Sequence, residues 1–441
     1  MRAPCVLFPT SLGVYRRGMR ARASATRAVA TALGFVLVLL SLFAPTASAQ
    51  ATCSFDEGTG VLQVTLLGSA PAVLVRQAEA IALDATPCGT ATITNTESIL
   101  VAGTGQGQPD DLTIDLAGGP FAPGLQTEAD GGEPEIEISA DLPGGGDLRI
   151  AGAEDNDVLT LGAAGANLNA DEAVGDVDLT LTGPADWEIA GRGGADAISL
   201  AGGGGAGEAI AAASVLGGVG DDTVFGMVGG STIDGGEGND TMDYAAAAQV
   251  RADLSKGIGR PGEGLEDSLV AIEGVVGTSG SDRLIGDSAD NTLAGGDGDD
   301  WLDGGKGSDL INGGQGADTA DYSGAPKGVS VDLEEGTATG IGADTLSGVE
   351  NIKGSRHDDV LLGSPDPNAF HGGGGDDEIS GNAGRDAVIG ALGNDLLFGG
   401  ADRDTVSGGR GKDQLDGGEG RDTCIPGPDP DAWTGCETIK L

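Results

Sequence analysis

Gly295-Gly296-Asp297-Gly298-Asp299-Asp300-Trp301-Leu302-Asp303 is followed without a gap by Gly304-Gly305-Lys306-Gly307-Ser308-Asp309-Leu310-Ile311-Asn312. Both nonapeptides read Gly-Gly-x-Gly-x-Asp-x-apolar-x, and sixteen units of this form dominate the second half of the 441-residue chain. Six residues make a turn and three make a short strand. Glycine permits the positive φ of a tight turn and leaves carbonyl oxygens uncovered by side chains. The apolar residue at position eight points inward and stacks on its equivalents above and below. Two nonapeptides close one coil, so residues 18 apart lie over one another at a strand spacing of roughly 4.8 Å. The pattern predicts an all-β chain: a parallel β-roll, or β-solenoid, with a small β module at its N-terminal end.

Three arrays keep the register, at residues 217–243, 277–321 and 354–425, with three, five and eight units. Position six is Asp in thirteen units: Asp222, Asp240, Asp282, Asp300, Asp309, Asp318, Asp359, Asp377, Asp386, Asp395, Asp404, Asp413 and Asp422. Ser231, Asn291 and Asn368 are the exceptions. Position eight is Leu, Ile, Val or Phe through most of the second and third arrays, with Ala320 the small exception at an array's end. Two position-six aspartates 18 apart can reach one ion from adjacent turns. Turn carbonyls then complete an all-oxygen shell of about 6–8 ligands, which suits Ca²⁺. Eight pairs 18 apart carry Asp at both ends, from Asp222/Asp240 to Asp404/Asp422. About eight calcium sites are therefore expected, with weaker ones where Asn replaces Asp.

These arrays resemble the RTX (hemolysin-type) calcium-binding nonapeptide repeat family. The resemblance implies a calcium-filled parallel β-roll that is disordered without calcium. It implies no catalytic activity, because such rolls are attached to toxins, proteases, lipases, epimerases and adhesins alike. Function must then come from sites on the attached parts.

Composition points to the same setting. The chain has 69 acidic and 23 basic residues, and six of the basic ones fall within residues 1–49, which hold no acid. Self-repulsion on this scale opposes compaction, and bound Ca²⁺ relieves it. No basic patch offers itself to nucleic acid. Residues 1–49 read as a signal peptide: Arg16, Arg17, Arg20, Arg22 and Arg27 precede an apolar run at 28–43, and Ala47-Ser48-Ala49 is a small-residue cleavage site. The expected product is secreted, extracellular and without a membrane span. Its N-terminal signal departs from the uncleaved C-terminal signal of many RTX proteins. Four cysteines remain after cleavage, Cys53, Cys88, Cys424 and Cys436. Of the three connectivities they allow, the local pairs Cys53–Cys88 and Cys424–Cys436 are favoured, since each lies within one segment. Cys424 holds an inward position eight, so a bridge to Cys436 would tie residues 426–441 over the roll's open end as a cap.

Residues 50–150 contain alternating runs such as Val61-Leu62-Gln63-Val64-Thr65-Leu66 and Asp111-Leu112-Thr113-Ile114-Asp115-Leu116. They predict a small β module or an irregular first part of the solenoid. Residues 151–216 read as a degenerate solenoid with few metal sites, in which 152–160 and 191–199 still fit the nonapeptide. Residues 244–276 and 322–353 are inserts that resemble each other: Asp243-Tyr244 matches Asp321-Tyr322, and Asp267-Ser268-Leu269-Val270-Ala271-Ile272-Glu273 matches Asp344-Thr345-Leu346-Ser347-Gly348-Val349-Glu350. A β-hairpin or an irregular coil wrapping the roll is expected in each.

Catalytic signatures are scarce. The two histidines, His357 and His371, exclude a His-Glu-x-x-His zinc site, and no Gly-x-Ser-x-Gly elbow occurs. The expectation is a calcium-ion-binding protein that is not an enzyme. The alternatives are a cell-surface or matrix adhesin whose ligand site lies in 50–216 and, behind it, a polysaccharide-active enzyme.

Overall fold

The computed structural model describes residues 51–440, apart from 68–70, 97, 104–110, 118–136, 143–146, 155–156, 163–164, 169–178, 183–185, 201–209, 211 and 227–228. The expected signal peptide lies outside the described residues. Among them the only helical element is the 3₁₀ turn Leu254–Lys256, and no helix is long and apolar enough to cross a membrane.

Each nonapeptide of the arrays contributes a strand whose second residue is position eight. Trp301–Asp303 and Glu378–Ser380 bury that residue and leave its neighbours half-buried or exposed. The strands stack in parallel with an 18-residue offset. On one face Leu284 lies on Leu302 and Leu302 on Ala320. On the other Leu361 lies on Ile379, Ile379 on Leu397, and Leu397 on Leu415. All of these residues, from Leu284 to Leu415, are at most 3% exposed. Burying one Leu or Ile contributes about 1.5–3 kcal/mol, while ordering one residue's backbone costs about 1–2 kcal/mol. One apolar side chain per nine ordered residues is a thin core, and the turns must supply the rest.

The two inserts are hairpins that rejoin the ladder. Val250–Asp253 runs antiparallel to Ile258–Pro261, and Ser330–Asp332 to Thr337–Thr339. Parallel stacking then continues across them: Ala252 pairs with Leu284, Leu346 with Ile311, and Ile352 with Phe370. The insert resets the chain onto the roll without breaking the sheets.

The N-terminal strands belong to the same stacks. Val61–Leu66, Ser98–Ala102, Glu137–Asp141 and Leu179–Thr182 follow one another in parallel on one face. Ala72–Gln77, Leu112–Asp115, Asp147–Ala151, Asp186–Gly193 and Ser214–Val219 do so on the other. At the start of the roll Ala51–Asp56 folds back antiparallel on Val61–Leu66, and Cys53 is bridged to Cys88. At the far end Cys424 is bridged to Cys436. Both local pairings favoured by the sequence are therefore present. The tail also holds a turn outside the sixteen repeats: Trp433 stacks on Leu415 in the 18-residue register before the chain closes.

Candidate metal centre

The thirteen position-six aspartates are all 0–4% exposed. The turn that carries each of them presses it against the next coil. In every one of the eight Asp–Asp pairs, the backbone N–H of the earlier aspartate donates to Oδ1 of the later one at 2.8–3.0 Å. One carboxylate oxygen thus ties coil to coil. The other has nothing to do. Oδ2 is buried without a hydrogen-bond partner in Asp222, Asp240, Asp300, Asp309, Asp318, Asp377, Asp386, Asp395, Asp404, Asp413 and Asp422.

Asp282 and Asp359, which open the second and third arrays, differ. Position two of their units is Thr278 or Ser355 rather than glycine. The Thr278 and Ser355 backbone amides donate to Oδ2, and their hydroxyls to Oδ1. Both oxygens are occupied there. Asn291 and Asn368 keep the coil-to-coil bond to Asp309 and Asp386. Ser231 receives one from Ala213 at 3.2 Å.

Each orphaned oxygen points into a cradle that glycine leaves open. A Cβ on Gly295 would fall 2.2 Å from Asp300 Oδ2 and 2.5 Å from the Gly313 carbonyl oxygen of the next coil. Carboxylate and carbonyl oxygens therefore converge where a side chain is missing. Burial raises these carboxyl groups well above the ordinary range, partly offset by the amide each accepts and reinforced by neighbouring aspartates. Asp240, Asp300 and Asp395 are pushed up to about 6, and Asp309, Asp377 and Asp386 to about 7. A buried, unpaired anion is costly unless a cation meets it. Among the described residues no three His, Cys, Asp or Glu side chains gather in metal-binding geometry. The donors here are instead a few carboxylates and main-chain carbonyls, which suits a hard oxygen-seeking cation such as Ca²⁺.

Two aspartates outside the thirteen make the same contacts, Asp431 half-buried and Asp196 buried. Asp431 receives the Asp413 amide at 3.0 Å, and its Oδ2 is orphaned. Its signal lies in Pro426-Gly427-Pro428-Asp429-Pro430-Asp431-Ala432-Trp433-Thr434, which keeps Gly at position two, Asp at six and an apolar residue at eight. The prolines hide it. Asp196, in the weaker unit 191–199, is 2% exposed with an orphaned Oδ2, and its own amide donates to Asp222 Oδ1. That spacing is 26 residues, so a search at 18 misses it.

The inserts handle the same position without an orphan. Asp267 and Asp344 accept the coil-to-coil amides of Ser231 and Asp309. Their second oxygens accept hydrogen bonds from the buried hydroxyls of Tyr244 at 2.9 Å and Tyr322 at 3.1 Å. Burial raises both tyrosine pKa values, which keeps the hydroxyls as donors. The repeated Asp-Tyr pair read from the sequence thus has a physical role as a neutral plug. His357 and His371 are both exposed. Trp301 lies between the Arg283 and Lys353 side chains.

A family model of the RTX calcium-binding nonapeptide repeat, four copies long, matches residues 216–246, 276–311, 285–320, 353–388 and 389–424. No curated protein matches the chain. The matched stretches overlie the three arrays and their buried aspartate ladder. Between residues 216 and 424 this chain carries RTX calcium-binding nonapeptide repeats, built as a parallel β-roll.

Proposed function

We propose that this chain is a secreted protein that folds outside the cell by binding several calcium ions between stacked turns, and that it has no catalytic activity of its own. The observation that carries this reading is the row of buried carboxylate oxygens without partners. Asp222, Asp240, Asp300, Asp309, Asp318, Asp377, Asp386, Asp395, Asp404, Asp413 and Asp422, together with Asp282 and Asp359, whose oxygens also accept from Thr278 and Ser355, hold about eight ions, with main-chain carbonyls completing the shells. Calcium supplies positive charge where the coils bring anions together. The chain's residues do the rest: Oδ1 registers each coil on its neighbour, glycine opens the cradle, and the position-eight side chain closes the core. Binding free energy then becomes folding free energy.

In this reading residues 217–243, 277–321 and 354–425 are the loaded arrays, 244–276 and 322–353 are structural inserts between them, and 426–441 close the end. Residues 1–49 direct export, and RTX repeat proteins are typically secreted. Extracellular calcium modules work at roughly 10⁻⁴–10⁻³ M, so the arrays stay loose inside the cell and fold outside it.

The test is a calcium titration of residues 50–441 followed by far-UV circular dichroism, with magnesium alongside. A cooperative, calcium-specific rise in β signal is expected. An unchanged spectrum with no heat of binding would overturn the reading.

A further inference from the structure

Position six of the last unit of each array is an aspartate with no position-six partner 18 residues on: Asp240, Asp318 and Asp422. In all three places a glutamate stands in. The Asp240 amide donates to Glu273 Oε2 at 3.0 Å, Asp318 to Glu350 Oε2 at 2.9 Å, and Asp422 to Glu437 Oε2 at 2.7 Å. Each glutamate directly precedes a ladder strand, Gly274–Val276, Asn351–Lys353 or Thr438–Ile439. It therefore occupies the place that Asp300 holds before Trp301–Asp303.

The main chain copies the repeat as well. Two residues before each glutamate the backbone turns left-handed, at Ala271 (φ 49°), Gly348 (φ 57°) and Gly435 (φ 63°). That turn aims a carbonyl oxygen into the cradle of the preceding coil. A Cβ on Gly235, Gly313 or Gly417 would fall 1.9–2.2 Å from the carbonyl oxygens of Ala271, Gly348 and Gly435 respectively. The Gly313 carbonyl stands in the same relation to Gly295 inside an array. Asp240, Asp318 and Asp422 are at most 1% exposed, and the Oδ2 of each has no partner. Glu437 lies in the tail, and Glu273 and Glu350 lie in the inserts, so three chain routes arrive at one geometry. Beyond the two insert glutamates, position six of the next coil is a neutral amide. Asn291 and Asn368 donate to the backbone carbonyls of Glu273 and Glu350 at 3.3 and 3.0 Å.

We propose that Asp240–Glu273, Asp318–Glu350 and Asp422–Glu437 are three further calcium sites, each closed by the carbonyl of Ala271, Gly348 or Gly435. They lie outside the Asp–Asp pairing and terminate the ladder to which the last unit of each array belongs. The inference rests on the calcium reading above, and one experiment separates the two. Equilibrium dialysis against ⁴⁵Ca²⁺ counts ions on residues 50–441 and on the triple variant Glu273→Gln, Glu350→Gln, Glu437→Gln. Glutamine keeps an acceptor for the aspartate amide and removes only the charge. The triple variant is expected to bind three fewer ions at saturation, each single variant one fewer, and the exposed-turn control Glu335→Gln the same number as the parent. A parent that binds no calcium overturns the functional reading. A parent and triple variant that bind equal numbers overturn this inference alone. Anomalous scattering from crystals of the parent grown with calcium tests the sites without any substitution. Peaks at Asp–Asp pairs and none beside Glu273, Glu350 and Glu437 would also overturn it.

Discussion

The coils of 61–151 and those of 354–425 stack parallel strands in the same way and hold them by different means. In the N-terminal coils Val61–Leu66 buries Leu62, Val64 and Leu66, and Ser98–Ala102 buries Ile99 and Val101. Two or three apolar residues per strand make a core that resembles an ordinary sheet protein. Asp115 there finds a charged partner in Arg192, from a later coil, at 2.7 Å. In 354–425 each strand buries a single apolar side chain, at position eight, while unpartnered carboxylate oxygens line the turns. The same architecture is reached by apolar area in one region and, in our reading, by metal in the other. A roll can therefore be stable at one end and conditional at the other.

The sharpest way to break this comparison is to remove calcium. Hydrogen exchange with and without a chelator should show amides of 354–425 losing protection wholesale while those of Val61–Leu66 and Leu112–Asp115 keep theirs. Equal loss in both regions would mean that the N-terminal coils depend on the arrays and the contrast is false.

Acid should act on the two regions with opposite sign. In the metal-free protein Asp196, Asp240, Asp300 and Asp395 sit at about 6 and Asp309, Asp377 and Asp386 at about 7 when folded, against roughly 3.9 for an unfolded aspartate. Their raised pKa values favour folding fully below about pH 4, and that contribution is lost as pH rises through 6–7. Chelator-treated protein is thus expected to gain β signal as pH falls from 7 to 4, whereas loaded protein sheds calcium over the same interval. Asp115 is the opposite case. Burial raises it, but the Arg192 hydrogen bond and charge outweigh burial and leave it lowered. Its contribution is present above about pH 4 and disappears as pH falls through its lowered value. Circular dichroism against pH, with chelator and with calcium, reads both; a metal-free signal that is flat with pH would contradict the buried-carboxylate account.

A smaller effect is expected at the inserts. Tyr322→Phe deletes the hydroxyl that satisfies Asp344 Oδ2 and turns a plugged position into an orphan like those of the arrays. A cost of about 1–3 kcal/mol is expected for the lost bond, seen as a lower urea midpoint for the calcium-loaded protein. An unchanged midpoint would show that the hydroxyl does not matter.

The nine-residue period makes the roll, the inward ladder and the thirteen aspartates legible in the sequence. Periodicity also reveals its own limits. Asp431 is hidden because Pro426, Pro428 and Pro430 disguise a unit whose spacing is intact. The unit that carries Asp196 is legible, but its pairing is not, because Asp222 stands 26 residues on. Glu273 and Glu350 are visible as the matching ends of the inserts, but their pairing, like that of Glu437, is hidden because a glutamate reached through an insert or a tail shares no fixed distance with its aspartate partner. The Asp-Tyr repeat is visible, but that each tyrosine plugs the aspartate more than twenty residues later depends on how the hairpin folds back. Local chemistry repeats in sequence, whereas closure of a stack is settled by the path of the chain between coils.

Every bond of the aspartate ladder points the same way. The amide of one coil is received by the carboxylate of the coil that follows it in sequence. At the last repeat the acceptor is Glu437, beside the Cys424–Cys436 bridge. Position five runs the other way: the amides of Asn239, Ser308, Ala317, Asp376 and Asn394 are received by Asp221, Asp290, Asp299, Asp358 and Asp376 of the coil before. A coil in mid-stack is thus latched forward from its buried turn residue and backward from the exposed one beside it.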